Sequence, residues 1–160
     1  MSLDQDYPPL VTERSPSNER SLDQATDAGG ADAIALLAQL SEAEENSRKA
    51  YATVAEMVTF EAASNLARDA AAEHEARRLA LGALIESLGG LAPRRDQCRE
   101  VLTHGTEAVA RASTETEGLA ALELLRDELA ITYSQALESS VLDEAQRAAV
   151  AGFAAPLARG

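Results

Sequence analysis

The chain has 160 residues, enough for one domain, and its 14 basic and 27 acidic residues give a formal charge of −13. A charge of this sign argues against partners such as nucleic acid and anionic membrane surfaces. Hydrophobic residues make up 46% of the chain but aromatic residues only 3%, so alanine and leucine must supply most of the packing. The single cysteine, Cys98, excludes an internal disulfide and a thiolate zinc site. With no apolar run of membrane-spanning length and no signal-like segment, we expect a cytoplasmic protein.

Residues 1–30 are predicted to form a disordered tail, and residues 31–160 to form the folded domain. Pro8, Pro9 and Pro16 stand among polar and acidic residues that interrupt any apolar periodicity. The tail is long enough to dock a protein partner, although no motif in it specifies one.

Two long helices are predicted after the tail. Helix A is expected from Asp32 to Val58, and helix B from an N-cap at Thr59 to Leu88, with Gly89-Gly90 past its end. So short a turn makes the pair antiparallel. The apolar face of helix A comprises Ile34, Leu37, Leu40, Tyr51, Val54 and Val58. The inward face of helix B is predicted to hold Phe60, Ala63, Ala67, Ala70, His74, Leu81, Leu84 and Leu88.

The second half of the chain is predicted to form a crossover helix and a second hairpin. The crossover helix is expected to start at Pro93 and Asp96 and to end near Ala112. A Thr114-x-x-Glu117 capping box opens helix C, and Ser140-x-x-Asp143 resembles a similar start for helix D. The buried stripes comprise Leu122, Leu125, Leu129, Tyr133 and Ala136 on helix C, and Leu142, Ala149, Val150, Phe153 and Leu157 on helix D. The pattern predicts an all-α four-helix bundle.

A candidate metal site lies where helices A and B should face each other. Glu44 precedes Tyr51 by seven residues, so the two side chains share the inward face of helix A. A buried carboxylate needs a cation or hydrogen bonds to compensate its charge, and a metal ion is one such cation. His74 has the matching position on helix B. Glu44 and His74 are therefore the predicted metal ligands, with Tyr51, Glu73, Glu123 and Asp127 as weaker candidates.

Purely structural interpretations of this pair remain open. Glu44 can pair with Arg48 one turn along its own helix, or with Arg77 or Arg78 across the hairpin. A lone histidine on an apolar helix face is more often a hydrogen-bonded core residue than a ligand.

Other polar residues also have structural interpretations. Tyr51 and Tyr133 are predicted to be core aromatics with satisfied hydroxyls. The acidic cluster of Glu42, Glu44 and Glu45 is interpreted as largely a solvated face. Cys98 is interpreted as a small buried hydrophobe, and His104 as a residue with a structural role and no part in a site.

Several catalytic classes lack their motifs. The sequence contains no G-x-S-x-G, no glycine-rich phosphate loop and no H-E-x-x-H. Two histidines and one cysteine leave little material for nucleophilic catalysis. The arginine pairs Arg77-Arg78 and Arg94-Arg95 lack interleaved aromatic residues, which argues further against nucleic acid. The balance therefore leans against an enzyme.

Three stretches carry a family resemblance. They are the end of helix B from Arg77 to Gly90 followed by Pro93, the segment Leu102–Gly105, and the segment from Glu123 to Glu138. Together with the inward Glu44 and His74, they resemble ferritin-like proteins over residues 33–157. More narrowly, the chain is similar to a bacterial family of small ferritin-like four-helix-bundle proteins, a domain of unknown function. The resemblance implies a stress-related protein that forms a homo-oligomer, in the simplest case a dimer.

The resemblance also implies a comparison with di-iron sites. Such sites use a Glu from each of two helices and a Glu-x-x-His from each of the other two. Glu44 and His74 fit two of these positions, but Ala71 stands where the glutamate before His74 is needed, and Arg126 stands seven residues before Tyr133. Two hypotheses follow. The first is a non-catalytic bundle with an absent or degenerate site and no cofactor; the second is an iron-binding protein with oxidase or storage activity, its ligands completed across a dimer.

Overall fold

The structure is a computed structural model that describes the backbone of residues 17–159 and the side chains of residues 28–159. This part of the chain is all-helical and contains no β-strand, which confirms the predicted class. Its five α-helices are α1 (Ser17–Met57), α2 (Glu61–Ser87), α3 (Thr103–Arg111), α4 (Glu115–Glu138) and α5 (Glu144–Ala154). Two 3₁₀ turns lie at Arg95–Gln97 and Leu157–Arg159.

Helix α1 is the element around which the others assemble. It packs along α2 and also contacts α4 and α3, while α4 contacts α3, α5 and the final 3₁₀ turn. Helix α1 ends within a residue of the predicted Val58, but it begins at Ser17, inside the segment assigned to a tail. Residues 1–16 lie outside the described part of the chain. For those residues the tail stays a prediction, whereas α1 runs through the boundary predicted at residue 30.

The turn between α1 and α2 differs from the prediction. Thr59 is not the N-cap of α2, because Phe60 holds that position without a side-chain hydrogen bond. The backbone N–H and hydroxyl of Thr59 instead donate to the Glu115 carboxylate, at 3.1 and 2.9 Å. Thr59 therefore ties this turn to the start of α4. Phe60, predicted to face inward, is 68% exposed.

The first half of the inward face of α2 is built from small residues. Ala67 and Ala71 are buried, and the Ser64 hydroxyl donates to the Ala55 carbonyl of α1 at 2.7 Å. Such residues let two helix backbones approach closely. The predicted stripe is shifted along part of the helix, since Ala71 is buried and Ala70 only half-buried. The six members of the stripe other than Phe60 and Ala70 are buried or half-buried against the core as predicted: Ala63, Ala67, His74, Leu81, Leu84 and Leu88.

The end of α2 matches the prediction. Gly89 has a φ of +81°, a left-handed conformation that glycine adopts without steric cost. The N–H of Gly89 donates to the Glu86 carbonyl and the N–H of Gly90 to the Ile85 carbonyl, each at 3.0 Å. These are the paired bonds that close a helix in the Schellman motif.

The crossover prediction was wrong over its first half. Only the 3₁₀ turn forms there, and the residues that follow, 98–102, are non-helical. We call residues 98–102 the strap. Asn46 holds it: its Nδ2 donates to the Arg99 carbonyl at 3.0 Å, and its Oδ1 accepts the N–H groups of Val101 and Leu102 at 2.7 and 3.1 Å. Because one buried side chain satisfies these backbone groups, the strap needs no helical hydrogen bonds.

Helices α4 and α5 begin with capping boxes. The Thr114–Glu117 box forms as predicted, and all five predicted stripe residues of α4 are buried. The cap of α5 is Asp143 paired with Gln146, so this helix begins three residues later than the Ser140 motif suggests. Leu142 and Val150 are buried, and Phe153 lies half-buried beside them. Among the described helices, none is long and apolar enough to cross a membrane.

A glycine-dependent contact between α3 and α4 generates the first prediction. A Cβ atom at Gly105 would lie 2.6 Å from the backbone Cα of Leu125. Gly105→Ala should therefore destabilise the protein by about 1–3 kcal/mol through overpacking, despite the better helix propensity of alanine. Chemical denaturation measures the change.

Gly152→Ala is the matched control, because a Cβ at Gly152 would meet nothing within 4 Å. It should be neutral or stabilising by up to about 1 kcal/mol. Equal effects of the two substitutions would contradict the close crossing of α3 and α4.

Candidate functional site

Seven consecutive residues of α1, from Ser41 to Ser47, are buried. A surface helix normally buries one stripe, so continuous burial means that this part of α1 is covered on every side. The stretch contains Glu42, Glu44 and Glu45, which are 5%, 0% and 0% exposed. The interpretation of this acidic cluster as a solvated face was therefore wrong. Each of the three carboxylates has an arginine partner.

Glu44 lies at the centre of a polar cluster formed by α1, α2 and α4. Its Oε2 lies 2.6 Å from Nδ1 of His74. Its Oε1 accepts the Tyr133 hydroxyl at 2.5 Å and Nε–H of Arg77 at 3.1 Å. Both carboxylate oxygens are thus engaged by protein groups from two other helices. We call Glu44, His74, Arg77 and Tyr133 the Glu44 cluster.

Geometry assigns the proton of His74. Nδ1 also lies 2.9 Å from Nη2 of Arg77, but a ring nitrogen cannot donate to Glu44 and accept from Arg77 at once. A carboxylate at 2.6 Å is the better partner, so we place the proton on Nδ1, donating to Glu44. The Arg77 guanidinium supplies the cation that compensates the buried Glu44 carboxylate.

The two tyrosines near the cluster play different parts. Burial, then the charge and hydrogen bond of Glu44, raises the pKa of the Tyr133 hydroxyl above its ordinary value, so Tyr133 keeps its proton and donates. The Tyr51 ring stacks on His74 with centroids 5.0 Å apart and planes tilted by 36°. Burial also raises the pKa of Tyr51. The prediction of a core aromatic with a satisfied hydroxyl is confirmed for Tyr133.

A second polar cluster adjoins the first. Arg48 donates two hydrogen bonds to Glu45, both at 2.8 Å, and Arg78 donates two to Glu75, at 2.8 and 2.9 Å. Arg95 donates to Glu75 at 2.5 Å, and its Nε lies 3.6 Å from Glu45. Hydrogen bonding with Arg78 lowers the pKa of Glu75, with Arg95 adding to the effect. The 3₁₀ turn of the crossover is thereby fixed to both α1 and α2.

A third pairing fixes the strap. The guanidinium of Arg99 donates to both oxygens of Glu42, with Nη2 at 2.9 Å from Oε2 and Nε at 3.0 Å from Oε1. Asn46 binds the strap backbone one turn further along the same helix. The side chains of Glu42 and Asn46 thus face the strap, while the side chain of Glu44 faces α2 and α4.

The predicted ligands divide into two groups. Glu44 and His74 belong to the Glu44 cluster, and the Tyr51 ring packs on His74. Glu73 has a 70% exposed side chain, 3.9 Å from Arg77, and so lies at its rim. The helix α4 candidates, Glu123 and Asp127, are exposed and belong to no described hydrogen bond of the cluster.

His104 and Cys98 both lie outside the Glu44 cluster. His104 is exposed, and its Nδ1 lies 3.4 Å from Glu128. Cys98 is half-exposed, so the prediction of a buried hydrophobe was wrong. The Cys98 thiol instead donates to the Arg94 carbonyl at 3.4 Å, and burial raises its pKa.

The chemistry of the Glu44 cluster does not fit a di-iron centre. Within the described residues, no three His, Cys, Asp or Glu side chains converge as a metal-binding group. Ala71 lies one turn before His74, where the di-iron motif places a glutamate. Arg77 lies where a metal could otherwise compensate Glu44. No protein-family model, no curated protein and no solved structure matches the chain. The ferritin-like resemblance therefore stays a prediction.

The Tyr133 hydrogen bond generates the second prediction. Tyr133→Phe removes a donor to a fully buried carboxylate and should cost about 1.5–3 kcal/mol of stability. The size of the effect follows from the charge on the acceptor, and urea denaturation at neutral pH measures it.

Tyr51→Phe serves as the control for removing a hydroxyl. The Tyr51 hydroxyl makes no hydrogen bond with a described residue, so this change should lie within about 0.5 kcal/mol of the wild type. A Tyr133→Phe variant as stable as Tyr51→Phe would show that Glu44 does not depend on the Tyr133 donor.

Proposed function

We propose that the protein is a non-catalytic helical-bundle protein of ferritin-like arrangement, whose di-iron site is degenerate. The observation that carries the proposal is the position of Arg77. Its Nε–H donates to Glu44, and its Nη2 lies 2.9 Å from Nδ1 of His74, so the guanidinium contacts both candidate ligands. A permanent cation there meets the electrostatic need that a metal ion would otherwise meet.

Three further features support this proposal. Ala71 supplies no carboxylate beside His74. The Tyr133 hydroxyl engages the same Glu44 oxygen as Arg77, and Tyr51 covers one face of the imidazole. A protein built in this way can act as a scaffold that binds other molecules through its surface, in keeping with a stress-related role. Its homo-oligomeric state, its cytoplasmic location and a docking role for the N-terminal tail belong to the same proposal.

Metal content provides the test. Full-length protein purified without added metal should contain far less than one iron per chain by elemental analysis. Added ferrous iron should oxidise no faster with the protein than without it. The expectation rests on the engagement of both Glu44 oxygens, because iron would have to displace Arg77 and Tyr133 to bind.

The paired variant Glu44→Ala/His74→Ala makes the outcome decisive. Stoichiometric iron in the wild type that is lost in this variant, with helical circular dichroism retained, would overturn the proposal in favour of an iron-binding protein. If the double variant unfolds, Glu44→Gln, which retains the size of the side chain, replaces it in the same comparison.

A further inference from the structure

A groove separate from the Glu44 cluster lies between α1, the strap and α3. Its volume is about 330 Å³, at the small end of the range of ligand pockets. Ala50 and Val109 are both buried and give it an apolar floor. Lys49 and Thr53 line it from α1, and Cys98 and Glu100 line it from the strap.

Neither charged side chain of the groove, Lys49 or Glu100, makes a hydrogen bond with a described residue. The Lys49 side chain is 54% exposed and makes no hydrogen bond with a described residue. Its nearest acidic group is Glu45, 3.8 Å away, and Arg48 already binds that carboxylate through two hydrogen bonds. Glu100 is exposed, and no described cation lies within ion-pair distance of it. This contrasts with Glu42, Glu45 and Glu75, which all have arginine partners.

We propose that this groove binds a small zwitterion with an apolar side chain, of the class of a free aliphatic α-amino acid. The ammonium of Lys49 on the α1 wall would bind the carboxylate, and Glu100 on the strap wall would bind the ammonium. The aliphatic side chain would cover Ala50 and Val109. A ligand with one charge would engage only one of Lys49 and Glu100, whereas a zwitterion would contact both.

The strap makes such a site rigid enough to be specific. Arg99, next to Glu100, is held by Glu42, and the Arg99 carbonyl accepts from Asn46. The N–H groups of Val101 and Leu102 are bound by the same asparagine. The backbone that carries Glu100 is therefore fixed to α1, the helix that carries Lys49. A preformed site loses less entropy on binding a ligand than a mobile one.

Titration of the ¹⁵N-labelled full chain with L-leucine tests the proposal. Amide shifts should be confined to the groove, with Thr53, Cys98 and Glu100 among the residues that move. Isocaproate, which lacks the amine, and isoamylamine, which lacks the carboxylate, have the same branched aliphatic body. Each should bind at least about tenfold more weakly than leucine, a difference of about 1.4 kcal/mol.

Charge-removing variants complete the experiment. Lys49→Met and Glu100→Gln should each weaken leucine binding at least about tenfold, and Arg68→Met and Glu86→Gln, exposed on α2, should leave it unchanged. Both test residues are exposed, so thermal unfolding should match the wild type. The proposal is overturned if leucine causes no shifts in the groove, if the two single-charge analogues bind as well as leucine, or if Lys49→Met and Glu100→Gln bind leucine normally.

Discussion

The burial of three carboxylates within little more than one turn of α1 is the constraint on which the rest of the structure depends. Removing a carboxylate from water costs several kcal/mol even after the protein relaxes, and Glu42, Glu44 and Glu45 all lie in the interior. Each is compensated by a different arginine. Arg99 comes from the strap, Arg77 from α2 and Arg48 from α1 itself.

This compensation explains why the crossover follows its observed path. An extended segment would ordinarily expose unpaired backbone groups, but Asn46 binds three of them, and Glu42 holds the Arg99 side chain. Glu45 and Glu75 hold Arg95 just before the strap. If the crossover moved, buried glutamates would lose partners, so the polar groups specify its position more strictly than apolar packing would. Polar networks inside proteins often have this effect on specificity.

The sequence predicts the local structure better than it predicts the hydrogen-bond and ion-pair partners of the buried polar side chains. Apolar periodicity and capping motifs identify the buried stripe of α4, the Thr114 cap and the Gly89 termination, because these features depend on residues close together in the chain. The same spacing places Glu44 near His74, and it leaves Arg77 open as a partner. It does not choose between arginine and a metal, since that choice depends on side-chain geometry across two helices.

The errors of prediction have a common physical origin. Thr59 and Asn46 both satisfy backbone groups or carboxylates far along the chain, and local rules contain no information about such contacts. Glu42 and Glu45 are predicted to lie at the surface because charged side chains are usually exposed to solvent. Glu42 depends on Arg99, which the fold brings back over α1, and Glu45 is paired with Arg48 of its own helix and lies near Arg95 of the crossover.

A double-mutant cycle on Glu44 and Arg77 tests the central claim most directly. Arg77→Met alone should destabilise the chain strongly, by about 3–5 kcal/mol, because it leaves a buried carboxylate without its cation. Adding Glu44→Gln should recover part of that loss and give a coupling energy of about 1–3 kcal/mol in chemical denaturation. Additive effects of the two substitutions would contradict the account, because Glu44 would then not depend on Arg77 for its compensation.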